Sequence, residues 1–377
     1  MKLKPMVRDN IALNAHEEGC KQSILNQIEE LKNLPSIQSN ELNVLIIGGS
    51  SGYGLASRIA LTFKANAYTY NVSFERAARG RNTASAGYYN NEAFQEIATS
   101  QGYSSDDLNA DAFSHETKQS VIEDFTTKNI KIDLLIYSVA SGIRIDPDTQ
   151  EKYVSALKPI GKEFKGQSVD IAKELIKDEI IQPANDEEIF NTTKVMGGED
   201  YLLWVEALNK ANLFNEGATT LTYTYVGSEL TYPIYKDGTI GHAKRNLEST
   251  LPKIQSIMDQ YNGHAKISSS KTVVTKASVF IPTVALYASA LFKVMKERGT
   301  HESITEHKYR LFKDFIFNKD NTDSLIRLDA FELDKDTQVQ VETLLDTYNN
   351  DLSKVDFEFF KEEFMRLSGF EVSGTNY

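Results

Sequence analysis

Asn43-Val44-Leu45-Ile46-Ile47-Gly48-Gly49-Ser50-Ser51-Gly52-Tyr53-Gly54-Leu55-Ala56-Ser57-Arg58-Ile59-Ala60 is the stretch that decides the fold. Its opening apolar run is too short for an ordinary helix; it passes into a glycine turn and closes on apolar residues at helical spacing. That pattern predicts a strand, a tight turn and a helix. Glycine suits the turn because a Cβ would block the dihedrals required. A bound phosphate must also reach the backbone N–H groups at the helix start. The expected ligand is a dinucleotide.

The spacing Gly48-x-x-x-Gly52-x-Gly54 resembles the short-chain dehydrogenase/reductase variant more than the plain G-x-G-x-x-G pattern. A glycine turn alone is weak evidence, since any tight strand-to-helix connection favours glycine. Phe74-Glu75 strengthens it, lying about 20 residues past the last glycine, after a second short apolar stretch at 67–72. A carboxylate there accepts from a ribose hydroxyl and repels a 2′-phosphate, so NADH is expected over NADPH.

With 377 residues the chain is either two domains or one α/β core with large insertions. Hydrophobic and charged fractions of 41% and 25% are those of a water-soluble globular protein. A net charge of −12 argues against nucleic acid or an anionic membrane as principal partner. Cys20 is the single cysteine, which excludes an internal disulfide and a cysteine-built zinc site. With no signal-like N-terminus and no apolar run of spanning length, a cytoplasmic protein without membrane insertion is expected, and a monomer.

Residues 17–34 read as an amphipathic helix, with Ile24, Ile28 and Leu31 at helical spacing. After Glu75 a basic loop, 76–89, precedes a helix over 91–99. Asp111-Ala112 follows, where an adenine edge can be read; the alternative for Asp111 is the N-cap of the next helix. Residues 130–137 form a β-branched strand, and the small residues after it, Val139 and Ala140 among them, either admit a nicotinamide ribose or simply end the strand. The segment 144–200 has no clear period and is assigned as an insertion closing over substrate. Strands are expected at 218–226 and 267–275, and a helix from Thr239 to about Tyr261. A long helix over 278–296, with Pro282 in its first turn, either lines an acyl tunnel or is buried core. The remainder, 309–377, reads as helical, with no visible chemistry. The expected architecture is one Rossmann-type doubly wound parallel sheet over 1–377, with 144–200 as a substrate-side lid and 300–377 as a helical extension.

Eight residues separate Tyr235 from Lys244. On one continuous helix, nine steps of about 100° would put them on opposite faces, so cooperation requires Tyr235 to precede the helix. Gly238 and Gly241 permit that break. A phenol beside an ammonium can stabilise charge on a substrate oxygen. Against this, 18 tyrosines make a chance pairing unremarkable. His301 and His307 are spaced by six rather than four, which disfavours a zinc site on one helix face, and no metal is expected.

From end to end the chain resembles the NADH-dependent trans-2-enoyl-CoA reductases and V-type enoyl-acyl-carrier-protein reductases. The resemblance is carried by Lys4-Pro5-Met6-Val7-Arg8, Leu13-Asn14-Ala15-His16, the turn over 48–59, Phe74-Glu75, Asp111-Ala112-Phe113-Ser114, Asp146-Pro147-Asp148-Thr149, the stretch 194–200, Gly238-Thr239-Ile240-Gly241 and the long Tyr235–Lys244 gap. It implies that Gly48, Gly49, Ser50, Ser51, Gly52 and Tyr53 hold a pyrophosphate, Phe74 and Glu75 the adenosine ribose, and Asp111 and Ala112 the adenine. Val139, Ala140, Val273, Val274 and Thr275 would meet the nicotinamide. Lys244 would anchor NADH, Tyr235 would be the catalytic acid, and Tyr225 would lie against an enoyl-CoA or enoyl-acyl-carrier-protein substrate. Arg245 stands where related sequences can carry a second lysine. Rival expectations are a carbonyl or alcohol reductase with the same tyrosine-lysine logic, and a non-catalytic NADH sensor.

Overall fold

A computed structural model describes residues 3–8, 10–37, 41–318 and 321–375. Its centre is a seven-stranded parallel sheet. Counting only that sheet, the strands are β1 (Asn43–Ile47), β2 (Tyr68–Ser73), β3 (Ser105–Asn109), β4 (Ile132–Tyr137), β5 (Phe214–Thr224), β6 (His264–Ser269) and β7 (Leu325–Arg327). They lie in the order 3-2-1-4-5-6-7, so the chain reverses direction between β1 and β4. A crevice at such a reversal, beyond the carboxyl ends of the strands, is where this architecture binds its ligand.

β1 explains why both sheet faces are covered. Val44 and Ile46 enter one core, with Leu55 and Ile59 of helix α2 (Gly52–Ala65) and residues of α1 (Glu17–Leu31) and α3 (Ala86–Ser100). Leu45 and Ile47 enter the opposite core, with Val121 and Phe125 of α4 (His115–Lys128), Trp204 of α6 (Glu199–Lys210) and Leu247 of α7 (Thr239–Met258). Successive strand residues point to opposite faces, so a run apolar at every position is buried on both. Each such side chain contributes roughly 1.5–3 kcal/mol of transfer free energy. α1 is capped by His16, whose side chain accepts from Gly19 N–H, and ends at Leu31 rather than at 34.

The insertion 144–200 is regular. It contains a hairpin, Ile143–Ile145 against Lys152–Val154, a longer one, Phe164–Asp170 against Leu175–Ile181, and helix α5 (Asp186–Met196). Asn185 and Glu188 close a capping box on α5, which sets where that helix begins. The expected helix over 278–296 is broken. Pro282 holds Ile281 extended, Thr283 turns left-handed at φ 69°, and α8 (Val284–Glu297) starts only there. Leu286, Tyr287, Ala290, Leu291 and Val294 are core, packed with Val341 of α10 (Lys335–Thr347) and Phe360 of α11 (Phe357–Arg366). The segment 300–377 is not purely helical, because β7 joins the sheet beside β6 after α9 (Ile304–Leu311).

Candidate active site

The glycine turn is built by close backbone packing. Gly48 has φ 94°, and a Cβ there would stand 2.5 Å from Ser138 O. A Cβ on Gly54 would stand 2.0 Å from Gly48 O, so α2 lies directly on the turn. Ser51 occupies the N-cap without a side-chain capping bond, which leaves the first N–H groups of α2 to an anion. Ser138 N–H donates to Ile47 O at 2.8 Å, drawing the end of β4 against the turn, with Val139 N 3.3 Å from the Cβ position of Gly48. On the other side, Thr275 Cγ2 is 3.5 Å from the Cβ position of Gly52. The residues from Gly48 to Tyr53 thus fit a pyrophosphate, and Val139 and Thr275 lie on either side of the turn.

Glu75 is clamped. Ser50 Oγ donates to Oε1 at 2.7 Å and Ser85 Oγ to Oε2 at 2.5 Å. Glu75 N–H donates to Asn109 Oδ1 at 2.7 Å, and Asn109 Nδ2 returns to Glu75 O at 2.9 Å. A Cβ on Gly87 would stand 2.0 Å from Glu75 Oε1, so the first turn of α3 lies directly against the carboxylate. Phe74 beside it is 76% exposed. In the sequence Ser85, Gly87 and Asn109 look like ordinary loop and helix residues and carry no signal of this contact.

Asp111 is not the N-cap of α4. That position belongs to Ser114, whose side chain accepts from Thr117 N–H. Asp111 instead accepts from Phe113 N–H through Oδ1 at 3.0 Å, forming a turn after β3. Ala112 O accepts from Trp204 Nε1 at 3.0 Å and from Lys118 Nζ at 3.1 Å. Lys118 is held in turn by buried Asp200, which also accepts from the Tyr137 hydroxyl at 2.9 Å.

Tyr235 lies in the turn before α7. Its carbonyl accepts from Gly238 N–H at 3.2 Å and Gly241 N–H at 3.0 Å. A Cβ on Gly241 would stand 1.8 Å from Lys236 O, so glycine is obligatory where the turn folds onto the helix. The Tyr235 ring meets Tyr225 edge-on, with centroids 4.8 Å apart and planes at 83°. The side chain is 7% exposed, and among the described residues its hydroxyl has no hydrogen-bond partner. Burial pushes that phenol above its usual range, so it is a neutral O–H donor at physiological pH. Burial is the cause of that rise, with no opposing contribution from the Lys244 ammonium. Lys244, half-buried on α7, donates to Tyr223 O at 3.2 Å. Desolvation brings its ammonium down to about 8, with Glu248 opposing. Arg245 points outward and donates to Lys236 O at 2.8 Å.

The segment 309–377 does contribute to this region. Glu332 is fully buried, and its Oε1 accepts from the hydroxyls of Tyr225 at 2.9 Å, Tyr287 at 2.8 Å and Thr272 at 2.9 Å. The Tyr225 hydroxyl is thereby committed to Glu332, which leaves only its ring to face Tyr235. From α9, buried Lys308 sits 4.0 Å over the Tyr53 ring and 3.8 Å over Tyr223, and donates to Ser270 Oγ. His307, brought down to about 3 by burial, is a neutral acceptor for Lys271 N–H and bonds Glu302 through Nδ1. Among the described residues no three His, Cys, Asp or Glu side chains gather as a metal site.

Residues 2–80 match the NAD(P)H binding domain of trans-2-enoyl-CoA reductase, and 82–317 match the trans-2-enoyl-CoA reductase catalytic region. Residues 320–377 match an enoyl reductase FAD binding domain. Their side chains do not fit a flavin dinucleotide. The described part has no strand, glycine turn and helix in succession, and its Gly369 is wedged against His16 O and Cys20. Its apolar residues, Val341, Phe357, Phe360 and Phe364, are spent in the core around α8.

The chain is 43% identical to a trans-2-enoyl-CoA reductase (NADH) of Brachyspira hyodysenteriae, across 100% of this chain and 98% of that protein. It is 42% identical to an enoyl-[acyl-carrier-protein] reductase (NADH) of Idiomarina loihiensis, across 100% and 97%. In three dimensions it matches a Clostridium acetobutulicum trans-2-enoyl-CoA reductase in complex with NADH, with TM-score 0.97, 39% identity and coverage of 100% and 96%. A Treponema denticola trans-2-enoyl-CoA reductase in complex with NAD gives TM-score 0.93 at 42% identity, covering 100% and 97%. Full-length likeness of this kind, joined to a glycine cradle and a tyrosine before α7 whose hydroxyl has no partner among the described residues, means that the chain belongs to the trans-2-enoyl-CoA reductase family.

Proposed function

We propose that the protein reduces the C2=C3 double bond of trans-2-enoyl thioesters with NADH, giving the saturated acyl thioester. The observation that carries this is the buried, neutral, unpartnered Tyr235 hydroxyl beside a cradle fitted to a dinucleotide. NADH, when bound, supplies the hydride that C3 of the substrate accepts. The chain deals with the charge this creates. Negative charge builds on the thioester oxygen, and a donor aimed at that oxygen is worth more in the transition state than in the ground state. Tyr235 is assigned as that donor, and C2 then takes the balancing proton from solvent water. Tyr225 offers its ring rather than its hydroxyl, Glu75 takes the adenosine ribose, and Asp111 the adenine.

Lys244 is assigned to the phosphate or ribose of NADH. Its charged form predominates below about 8 and is lost above it. NADH affinity is therefore expected to weaken as pH rises through that value, and binding near it to take up a proton. Titration of NADH by fluorescence from pH 6.5 to 9.5 checks this. Lys244→Ala should flatten the profile and weaken binding at the acidic end; an unchanged profile would refute the role.

The carrier is either coenzyme A or acyl-carrier protein, since relatives named for each are equally similar. NADH oxidation is expected with crotonyl-CoA and not with a panel of ketones, and short and long enoyl groups on both carriers rank the substrates. Faster turnover of a ketone would favour a carbonyl reductase. Among the described residues no helix is long and apolar enough to cross a membrane. The single cysteine, buried and unpaired, suits a reducing cytoplasm, and a monomer is the proposed state.

A further inference from the structure

The Glu332 carboxylate has no part in the chemistry assigned so far, yet it is the most completely enclosed acid beside it. Four donors converge on it: three hydroxyls on Oε1 and Thr272 N–H on Oε2 at 2.5 Å. Thr272 follows β6, Tyr225 follows β5 and Tyr287 lies on α8, so one carboxylate ties three elements to the segment after β7. Gln338 Nε2, from α10, donates to Glu332 O at 2.6 Å and to Tyr287 Oη at 3.1 Å, fixing the acid's own backbone. The Tyr225 hydroxyl also lies 2.7 Å from Thr272 Oγ1, so the phenol is gripped from two sides. Its ring, held this way, is the wall against which Tyr235 stands edge-on.

We propose that Glu332 is a positioning residue for the reduction, acting through the Tyr225 hydroxyl to hold the Tyr225 ring and so the Tyr235 hydroxyl in place. The inference rests on the function proposed above, in which Tyr235 is the donor to substrate. Position rather than charge is the means. Burial alone raises the Tyr235 phenol, with no contribution from Glu332, whereas the Tyr225 and Tyr287 phenols both feel the carboxylate. Displacement of a reacting group by about 1 Å costs on the order of a hundredfold in rate.

Glu332→Gln tests this at constant shape. The amide NH2 cannot face Thr272 N–H, so it must face the hydroxyls. With two N–H groups facing three hydroxyls and no acceptor among them, the Tyr225 hydroxyl can no longer donate to residue 332, and its proton swings elsewhere. The expected result is a fall in kcat of about tenfold to a hundredfold, with KM for NADH within about twofold of wild type. The Tyr225→Phe, Glu332→Gln double variant should fall no further than Tyr225→Phe alone, because both cut one link. Wild-type kcat in Glu332→Gln, or additive losses in the double variant, would overturn the inference. Should Glu332→Gln fail to fold, Tyr225→Phe reads the link from its other end: a comparable kcat loss supports the inference and an unchanged kcat overturns it. An inactive Tyr235→Phe protein beside a fully active Glu332→Gln protein overturns this inference alone. An active Tyr235→Phe protein overturns the functional reading and this inference together.

Discussion

Tyr235→Phe is expected to lower kcat by roughly two to four orders of magnitude while leaving the Kd for NADH within about twofold. The substitution removes one oxygen from a side chain whose hydroxyl makes no hydrogen bond among the described residues, so no partner there is orphaned and the fold should be unharmed. Its ring contact with Tyr225 is kept. What disappears is a donor that becomes valuable only when charge reaches the substrate oxygen, and that loss appears in kcat rather than in ground-state binding. Steady-state rates with an enoyl thioester, paired with NADH titration, decide it. A loss of less than about tenfold would move the acid elsewhere.

Gly54→Ala should damage the other half of the site. The added methyl would stand 2.0 Å from Gly48 O, and the atoms it meets next, Gly48 C and Gly49 Cα, are backbone at 2.8 and 3.0 Å. No rotamer change relieves a clash with the main chain, so α2 must lift away from the turn. Overpacking of this kind costs about 1–3 kcal/mol. Taken from the cradle geometry, that is roughly a tenfold to hundredfold weakening of NADH binding. A lower melting temperature and a raised Kd are expected together; unchanged NADH affinity would mean that the pyrophosphate does not sit on this turn.

What could be read from the sequence, and what could not, divides by the range of the interactions involved. β1, the glycine turn and α2 were legible because one local run carries strand, turn and helix signals in succession. The placement of Tyr235 before α7 followed from helix geometry and two glycines, and the structure has that break, with Gly238 at the N-cap of α7. Asp111 and Ser114 are both plausible caps in the sequence because capping residues compete within a few positions; Ser114 holds the role. Over 278–296 the sequence misleads because Pro282 looks like a first-turn proline, whereas its effect on Ile281 and the left-handed Thr283 delay the helix start. β7 spans three residues and offers no period to detect. Glu332 was invisible for a different reason: its partners come from residues 225, 272 and 287, and no local pattern announces a buried acid whose donors lie that far away in the chain.

The two rims of the parallel sheet have a consequence for behaviour in crowded solution. A bare strand edge is a template on which a neighbouring molecule can add its own backbone. At one rim β3 presents Asp106 and Asp107, the first bonded to Lys128 and Tyr68 and the second to Arg58. At the other rim β7 is only three residues long and ends at Arg327, which pairs with Asp329. Neither rim offers a long, flat, uncharged edge, so intermolecular strand addition, and the aggregation it seeds, is blocked by the way the sheet stops.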